Sequence, residues 1–453
     1  MKKPFFLFTI IVLLTVSFSA KLSGCITDEF DRTISARLRF ISLEKKFLTT
    51  IYTNWHGEFE VDLPDGEYEL EITKGPEYER KIVKVSVPSD QRKIITLKRL
   101  FNLTELGWFS GDTHLHTLYS DGKNLVEELA LSCSAAGLFW AVLSDHNTLN
   151  GADEWLTFRK KGLLTIAGQE ITMKNGHINA IGVQKLVPWQ HSSTDEEMIE
   201  IFKVVKMQGG IVQINHPFDL RSPFEKLPLE GYDLIEIWNG GGPPNLAGFR
   251  NNESKEHWFR MLNEGRRVAA VAASDCHDVY STYSIAALLP MFLVVQLMRR
   301  DFGEYLEAAR ANEEKLRAWA LYGLFPGTPR TYVKVSELTQ QEIIDSLRKG
   351  KSFLTNGPLV LATVNGAGPG ETAVVTEKAL LDIKIFSNVQ VNRLIVTQAG
   401  KCVHEIAVET VNGEFEHRVY LDPSDGEWVV VEAFGDFPVY AMTNPIYLSR
   451  QQK

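Results

Sequence analysis

Apolar and polar residues alternate along two stretches of this chain, one near each end. Residues 59–63 and 68–72 alternate on either side of a Pro64-Asp65-Gly66 turn, and alternation returns from about residue 358 onward. A period of two is typical of strands with one buried face. The pattern predicts a small antiparallel β-sandwich over residues 25–102, similar to carboxypeptidase-regulatory-like modules, and a second β-sandwich over residues 358–453.

The middle of the chain, residues 103–357, has a different rhythm, in which short apolar strands alternate with helical segments. Val126, Leu129 and Cys133 lie on one face of a predicted helix, and Gly137 marks its end. Repeated βα units indicate a parallel sheet or barrel. The predicted strands that follow this helix are 140–143, 164–167, 211–214, 234–237 and 268–273.

Residues 1–24 have the form of a signal peptide, because two lysines precede an apolar run that is short for a membrane-spanning helix. The small residues up to Ala20 suit ordinary signal peptidase. The string Leu22-Ser23-Gly24-Cys25 is similar to a bacterial lipobox, in which Cys25 would be lipidated and begin the mature chain. An uncleaved anchor is a third alternative. We expect export in all three cases, as a cell-envelope lipoprotein anchored to the membrane through Cys25, which is the favoured alternative, as a secreted protein, or as an anchored protein.

Composition narrows the class of protein. The chain has 453 residues, of which 44% are hydrophobic and 23% charged, which excludes intrinsic disorder and leaves room for several domains. A net charge of -9 makes polymeric nucleic acid an unexpected partner. Four cysteines without a C-x-x-C motif exclude a zinc-finger array or a disulfide scaffold.

Acidic residues and histidines follow five of the predicted strands directly. Because the carboxyl ends of parallel strands share one face of a barrel, and that face carries active sites, we expect these side chains to meet. The residues at these five ends are His114 and His116, Asp145 and His146, Glu170, His216, and Asp275 and His277.

The spacing of these residues suits metal binding. In the H-x-H sequence of His114 and His116 both imidazoles point to the same side of an extended segment, and Asp275-x-His277 behaves alike. A carboxylate such as Glu170 can bridge two ions. Imidazole and carboxylate ligands without thiolate favour Zn, Mn or Fe, and paired ions suit a hydrolase that uses a metal-bound hydroxide.

The order of the motifs resembles the PHP (polymerase and histidinol phosphatase) superfamily. Its marks are GDTHLHTLYSDG at 111–122, SDHNT at 144–148, GHIN at 176–179, NHP at 215–217 and SDCH at 274–277. Later motifs are similar to one branch, the carbaryl-hydrolase-like CehA/McbA metallohydrolases. These are IEIWN at 235–239, PRTYV at 329–333, TNGP at 355–358 and TNPIY at 443–447.

The resemblance implies an α/β fold, a distorted (βα)7 PHP barrel of TIM-like form flanked by the two β-sandwiches, with two or three divalent metal ions (Zn, Mn or Fe). Its implied first-ion ligands are His114, His116, Glu170 and Asp275. Its implied second-ion ligands are Glu170, His177 and His216, and a third ion would be held by Asp121, His146 and His277. Glu170, His216 and His277 are the implied catalytic residues. Some PHP proteins use a histidine one residue after Asp121, where this chain has Gly122, and His191 and His257 match no motif.

An insertion over about 279–328 is longer than the family leads us to expect. It begins with an apolar stretch, 285–295, that is too short to span a bilayer, and continues with a charged helical stretch. A lid over the metal face, a packing arm or dimer contact, and a membrane-surface contact all remain open.

The predicted function is a phosphoesterase acting on a small phosphorylated substrate. The first alternative is a carboxylester or carbamate hydrolase, and the second is a non-catalytic exported binding protein. A phosphate substrate is best bound with positive charge nearby, and Lys123 and Arg330 are the cations at motif positions that could reach it. Trp140, Trp238 and the 285–295 stretch would instead provide the apolar wall that a neutral small-molecule ester needs.

Overall fold

The structure, a computed structural model, describes residues 19–42, 47–89, 91–189, 194–219, 222–224, 230–247, 250–280, 311–312, 314–316, 319, 325–410 and 413–450. These residues form an α/β protein rich in sheet. Most of the predicted signal peptide, and residues 281–310 of the predicted insertion, lie outside the described residues. No helix among the described residues is long and apolar enough to cross a membrane.

The N-terminal body is a pair of facing sheets. One sheet has the order β4-β1-β7 and the other the order β3-β2-β5-β6, and the core between them includes Leu22, Phe40 and Leu70. Its first strand begins before residue 25, the predicted start of this body, and contains Cys25 as a buried residue. The strands are β1 (Ser19–Thr27), β2 (Arg37–Ser42), β3 (Phe47–Tyr52), β4 (Glu58–Pro64), β5 (Gly66–Thr73), β6 (Lys81–Val87) and β7 (Lys93–Thr96).

The middle body is built on seven strands that neighbour one another in chain order. They are β8 (Trp108–Asp112), β9 (Trp140–Leu143), β10 (Leu164–Met173), β11 (Gly176–Ile181), β12 (Ile211–Asn215), β13 (Leu234–Asn239) and β14 (Ala269–Ala273). The helices between them are α1 (Val126–Ala135), α2 (Ala152–Thr157), α3 (Asp195–Met207) and α4 (Arg250–Asn263).

A regular (βα)7 barrel is not confirmed, because one strand runs against the others. β11 pairs antiparallel with both β10 and β12, whereas the remaining neighbours are parallel. Only Lys174 and Asn175 separate β10 from β11, and Gly176 has a φ of 101°. A connection this short reverses the chain and cannot carry it back for a parallel pairing.

The two ends of this sheet meet with little backbone pairing. A single parallel bridge joins Leu115 to Cys276 beyond the ends of β8 and β14. Along β14 itself, two side chains of the C-terminal body form hydrogen bonds with the backbone. Thr331 bonds both the N–H and the C=O of Ala272, and Asn444 bonds both groups of Ala270. Two side chains therefore take the place of a strand along this edge.

The C-terminal body continues the same sheet. Its first strand, β15 (Arg330–Lys334), pairs antiparallel with β8, so that one sheet of 15 strands runs through both bodies. A second sheet, of order β17-β19-β22, packs against the C-terminal strands of this large sheet around a separate apolar core. The elements are β15 (Arg330–Lys334), α5 (Gln340–Lys349), β16 (Ser352–Thr355), β17 (Leu359–Val364), β18 (Thr372–Val375), β19 (Ala379–Ser387), β20 (Val391–Gln398), β21 (Lys401–Thr410), β22 (Gly413–Leu421), β23 (Trp428–Phe434), β24 (Tyr440–Thr443) and β25 (Ile446–Arg450).

Candidate metal centre

The nine side chains predicted as metal ligands lie together at one end of the seven-stranded sheet. Within each of four overlapping groups of them, the ligand atoms lie within 4.8 Å of one another. They are supplied by the segments of β8 (His114, His116, Asp121), β9 (His146), β10 (Glu170), β11 (His177), β12 (His216) and β14 (Asp275, His277). The convergence matches the predicted geometry, while the ligand roles themselves stay predictions.

Glu170 lies at the centre of this cluster. The prediction that it follows the end of its strand was wrong, because pairing with β11 extends β10 to Met173. The buried carboxylate faces five imidazoles. Oε2 lies 3.1 Å from His114 Nε2, 3.2 Å from His116 Nε2 and 3.3 Å from His146 Nδ1, and Oε1 lies 3.1 Å from His177 Nδ1 and 3.4 Å from His216 Nε2.

Asp275 approaches the same inner imidazoles. Its Oδ1 lies 3.2 Å from Nε2 of His114 and 3.2 Å from Nε2 of His116. Asp275 has a φ of 54° and His216 a φ of 26°, a region that side-chain-bearing residues rarely adopt. Strained backbone of this kind persists where the surroundings fix it, and it concentrates at functional sites.

These contacts have the spacing of ligands around a common ion. Nε2 of His114 and both ring nitrogens of His116 are buried without a hydrogen-bond partner, although carboxylate oxygens lie 3.1 to 3.2 Å from the two Nε2 atoms. Ligands held about 2.0–2.1 Å from one ion are roughly 3.0–3.4 Å apart. Because buried polar atoms are normally paired, these unpaired nitrogens fit a metal ion.

Asp121, His146 and His277 form a second cluster, the outer group, beside the inner one. Asp121 Oδ1 lies 3.1 Å from Nε2 of His277 and 3.5 Å from Nε2 of His146. The opposite ring nitrogens are already engaged, since Nδ1 of His277 donates to the carbonyl oxygen of Asp275 at 2.8 Å and Nδ1 of His146 bonds Thr172 at 2.7 Å. Both Nε2 atoms are therefore left to face the carboxylate.

The inner carboxylates and imidazoles each favour the charged form of the other. Burial alone would raise the pKa values of Glu170 and Asp275, but the imidazoles around them, His114 above all, hold both well below the usual range. In return, although burial opposes it, these carboxylates raise the pKa of His114 well above its usual value and that of His116 to about 9. A metal ion at this site has to displace those protons, so binding releases protons.

Exposure rises steadily across the cluster. The side chain of His114 is 0% exposed, those of His177 and His277 are 16% and 34% exposed, and that of Asp121 is 58% exposed. The outer group therefore lies at the open side of the site.

Three residues that support the cluster were not nominated from the sequence. Asn215 donates to Oε1 of Glu170 at 2.8 Å, and Glu236 lies 3.1 Å from Nδ1 of His114. Asp112, buried under the site, accepts hydrogen bonds from the backbone of His114, Ser274 and Gly327, and burial raises its pKa to about 6. All three lie inside motifs noted in the sequence, Asp112 in 111–122, Asn215 in 215–217 and Glu236 in 235–239, and those motifs are the signal that could have revealed them.

The two cations considered for phosphate binding have other partners. Arg330 is buried and donates to the carbonyl oxygens of Gly327 and Ala136, each at 2.8 Å. Lys123 is exposed and pairs with Asp278 at 3.2 Å.

The two tryptophans considered for an apolar wall are both buried. Trp140 is fully enclosed in the core. Trp238 packs against Tyr440 and lines a small cavity with Gly240, Pro244, Trp319, Thr328, Pro329 and Asn356. Of these two tryptophans, Trp238 is the one that lines a cavity in the described part of the chain.

Of the two histidines of the middle body that match no motif, His257 is not among the residues of the cluster. His257 lies on α4 and its ring contacts Phe218 with centroids 5.5 Å apart. His191 lies outside the described residues.

No protein-family model matches the chain, and no curated protein matches it in sequence. Similar solved structures include a two-domain protein from Bacteroides vulgatus that contains a PHP-like metal-dependent phosphoesterase, with 16% identity and a TM-score of 0.40, covering 72% of this chain and 90% of that one. A protein from Bifidobacterium adolescentis named as a metal-dependent phosphoesterase shares 18% identity, with a TM-score of 0.30 and coverage of 37% and 87%. An amidohydrolase from Chromobacterium violaceum shares 13%, with a TM-score of 0.29 and the same coverage. At TM-scores this low we draw no conclusion about activity from the likeness, and the proposals below rest on the site.

Proposed function

We propose that this chain is a metal-dependent hydrolase of the PHP type that acts on a small phosphoester. The observation that carries the proposal is the convergence of six imidazoles and three carboxylates on one cluster, with buried ring nitrogens that have no hydrogen-bond partner. A purely structural role leaves such nitrogens uncompensated. A bound divalent ion accounts for the Nε2 atoms of His114 and His116, which face Glu170 and Asp275.

The residues divide naturally among the ions. His114, His116 and Asp275 would hold one ion, His177 and His216 a second, and Glu170 would serve both through its two oxygens. The outer group would hold a third. When bound, such ions supply Lewis acidity, which generates a nucleophile from water at neutral pH and stabilises oxyanion charge.

The open side of the site sets the direction of substrate access. Leu118 and Tyr119, on the loop between His116 and Asp121, are 58% and 46% exposed. A substrate that approaches past this loop meets His277 and Asp121 before it meets the buried inner residues. We therefore propose that the reacting group lies between the outer group and Glu170, beside His216 and His277, and that the rest of the substrate contacts the loop.

The choice of a phosphoester depends on the number of positive charges. Two or three divalent ions can neutralise phosphoryl oxygens without help from arginine or lysine. Since Arg330 and Lys123 are engaged elsewhere, the ions would have to provide most of that charge.

The engagement of these cations is also the observation that favours a second candidate, a carboxylester or carbamate hydrolase. A neutral carbonyl substrate needs fewer cations, and Trp238 and Trp319 border a small cavity in the described part of the chain.

The motifs that resemble the CehA/McbA branch do not decide between the substrates. Thr331 and Asn444 serve the edge of β14, Arg330 binds backbone carbonyls, and Asn356 accepts from the backbone of Tyr440. These residues build the frame around the site. Membership of that branch therefore stays a proposal, and it carries no information about the scissile bond.

Metal analysis followed by a hydrolysis screen tests the proposal. Purified protein is analysed for Zn, Mn and Fe, and is then assayed with 4-nitrophenyl phosphate, bis(4-nitrophenyl) phosphate and 1-naphthyl methylcarbamate, with Mn or Zn added. His216→Ala serves as the blank, and His257→Ala, outside the cluster, is the matched control.

We expect at least two ions per chain and phosphatase activity that is lost in His216→Ala and kept in His257→Ala. Carbamate turnover without phosphatase activity would reverse the ranking of substrates. Bound metal without turnover of any ester would favour an exported binding protein, and protein that takes up no metal would remove the proposal altogether.

A further inference from the structure

Glu236 is a buried carboxylate in the middle of β13. The whole strand is buried, and Glu236 is only 1% exposed between the apolar residues Ile235 and Ile237. Burying an ionised carboxylate is costly unless its oxygens are well paired. The contacts of Glu236 therefore have to account for its presence in the core.

Both oxygens of Glu236 contact the metal cluster or its immediate support. Oε1 lies 3.1 Å from Nδ1 of His114. Oε2 accepts the backbone N–H of His216 at 2.7 Å and the side-chain amide of Asn239 at 3.0 Å. The same amide nitrogen of Asn239 also donates to Oδ2 of Asp275 at 3.1 Å. Glu236 and Asn239 thus contact three predicted ligands, from three different strands.

These three ligands, His114, His216 and Asp275, form one of the four groups whose ligand atoms converge. Because a carboxylate accepts, Nδ1 of His114 donates to Glu236, so that Nε2, which faces Glu170 and Asp275, is the nitrogen available to an ion. The bond to the backbone N–H of His216 holds a residue whose φ of 26° is rarely adopted. A single side chain therefore fixes a tautomer at one ligand and the backbone at another.

We propose that Glu236 is the positioning residue of the inner metal site, and that it holds His114 and His216, predicted ligands of the two inner ions, in the geometry that binds these ions while making no contact with substrate. The inference rests on the proposed metal-binding function and adds a residue that the ligand motifs do not contain. Carboxylates that bind the far nitrogen of a metal-ligating histidine raise its basicity and fix its ring, and their loss costs about 10–100-fold in metal affinity.

The test compares two buried carboxylates by substitution to glutamine. Glu236→Gln keeps the shape but loses the charge and one acceptor. Glu432→Gln is the matched control. Glu432 lies on β23 of the C-terminal body, is 3% exposed, and accepts hydrogen bonds from Tyr440 and from Lys255 of α4. Each purified protein is stripped of metal and titrated with Zn²⁺ and with Co²⁺, whose absorption spectrum reports ligand geometry.

We expect Glu236→Gln to bind the inner ions about 10–100-fold more weakly, with an altered Co²⁺ spectrum, and to keep the affinity of the outer group. Glu432→Gln should lose thermal stability without a change in either metal property. If Glu236→Gln does not fold, Glu236→Asp, which keeps the charge but is one methylene shorter, is titrated in its place with the same expected loss.

Wild-type affinity and spectrum in the Glu236 variant would overturn the inference while leaving the proposed function intact. An equal loss in the Glu432 control would likewise overturn it, because the effect would then follow from general destabilisation. Failure of the wild-type protein to bind metal would instead reject the proposed function itself.

Discussion

Nε2 of His277 lies 3.1 Å from Oδ1 of Asp121. An ion bound by His277 and His146 would therefore also be within reach of this exposed carboxylate. Some PHP proteins are expected to use a histidine one residue later. Here that residue is Gly122, and a Cβ atom at this position would lie 2.6 Å from the carbonyl group of His116. The backbone leaves no room for a side chain there, so Asp121 is the residue that can complete this group.

We therefore predict that Asp121→Ala loses one ion per chain and keeps the inner ions, because none of the inner contacts involves Asp121 except a 3.9 Å approach to His116. Metal content after gel filtration measures this. Asp278→Ala is the control, since Asp278 lies on the adjacent loop and pairs with Lys123. Equal metal content in the Asp121 variant and the wild type would show that the outer group does not bind an ion.

Arg330 gives a second prediction. Arg330→Met leaves the buried carbonyl oxygens of Gly327 and Ala136 without their donor, and buried hydrogen bonds to a charged group are worth about 1.5–3 kcal/mol each. We expect the Tm to fall by roughly 5 °C or more, with KM for substrate unchanged. Thermal unfolding and steady-state kinetics measure the two quantities, with Lys123→Met as the surface control. A raised KM at unchanged Tm would contradict this prediction and show that Arg330 contributes to substrate binding.

A third prediction concerns Lys74, which joins the N-terminal body to the middle one. Nζ donates to the carbonyl oxygens of Ser35 and of Ser134, at the end of α1. Burial lowers the pKa of Lys74 from 10.5 to about 7, with a smaller contribution from Arg99. Between these two pH values the unfolded chain binds a proton that the folded protein does not, so the free energy of unfolding rises as pH rises through this window.

Lys74→Met removes this dependence. The Tm of the wild type relative to Lys74→Met should therefore increase from pH 7 to pH 9 and stay constant below pH 6. Thermal unfolding in buffers of equal ionic strength measures it, with the exposed Lys84→Met as the control. A difference that shrinks as pH rises would contradict the lowered pKa.

The N-terminus of the mature protein gives a fourth prediction. Residues Ser19 to Gly24 pair with residues 59–64 of β4, and Leu22 is fully buried. Processing at a lipidated Cys25 would remove all of these contacts, whereas cleavage near Ala20 would keep most of them. The pairing of β1 therefore favours the second alternative, and we expect an intact mass that begins near Lys21. A lipid-modified mass beginning at Cys25 would instead establish the lipoprotein.

The convergence of the candidate ligands could be predicted from the sequence because most of them follow a local pattern. An apolar run followed by histidine or aspartate marks His114, His146, His216 and Asp275, and parallel strands bring such positions to one end of a sheet. His177 came only from the family resemblance. It follows a short turn, and no apolar periodicity indicated that β11 would run antiparallel and carry this residue into the cluster.

Residues that act through other residues were beyond the reach of the sequence. Glu236 and Asn215 lie within strands whose apolar character gives no hint of which neighbours they meet. Thr331 and Asn444 belong to motifs that were noted as family marks, yet their function depends on a strand about 60 and 174 residues away respectively. Such contacts follow from the closed topology and cannot be read from local periodicity.

The bonds from Asn444 to Ala270 also constrain how the protein is made. Asn444 lies 174 residues after Ala270, so the edge of β14 stays unsatisfied until the C-terminal body has been synthesised. Asp275 and His277 follow directly on that strand. We therefore expect a chain that stops short of Asn444 to lack a fixed Asp275 and His277, and the ligand cluster to form only after the C-terminal body is in place.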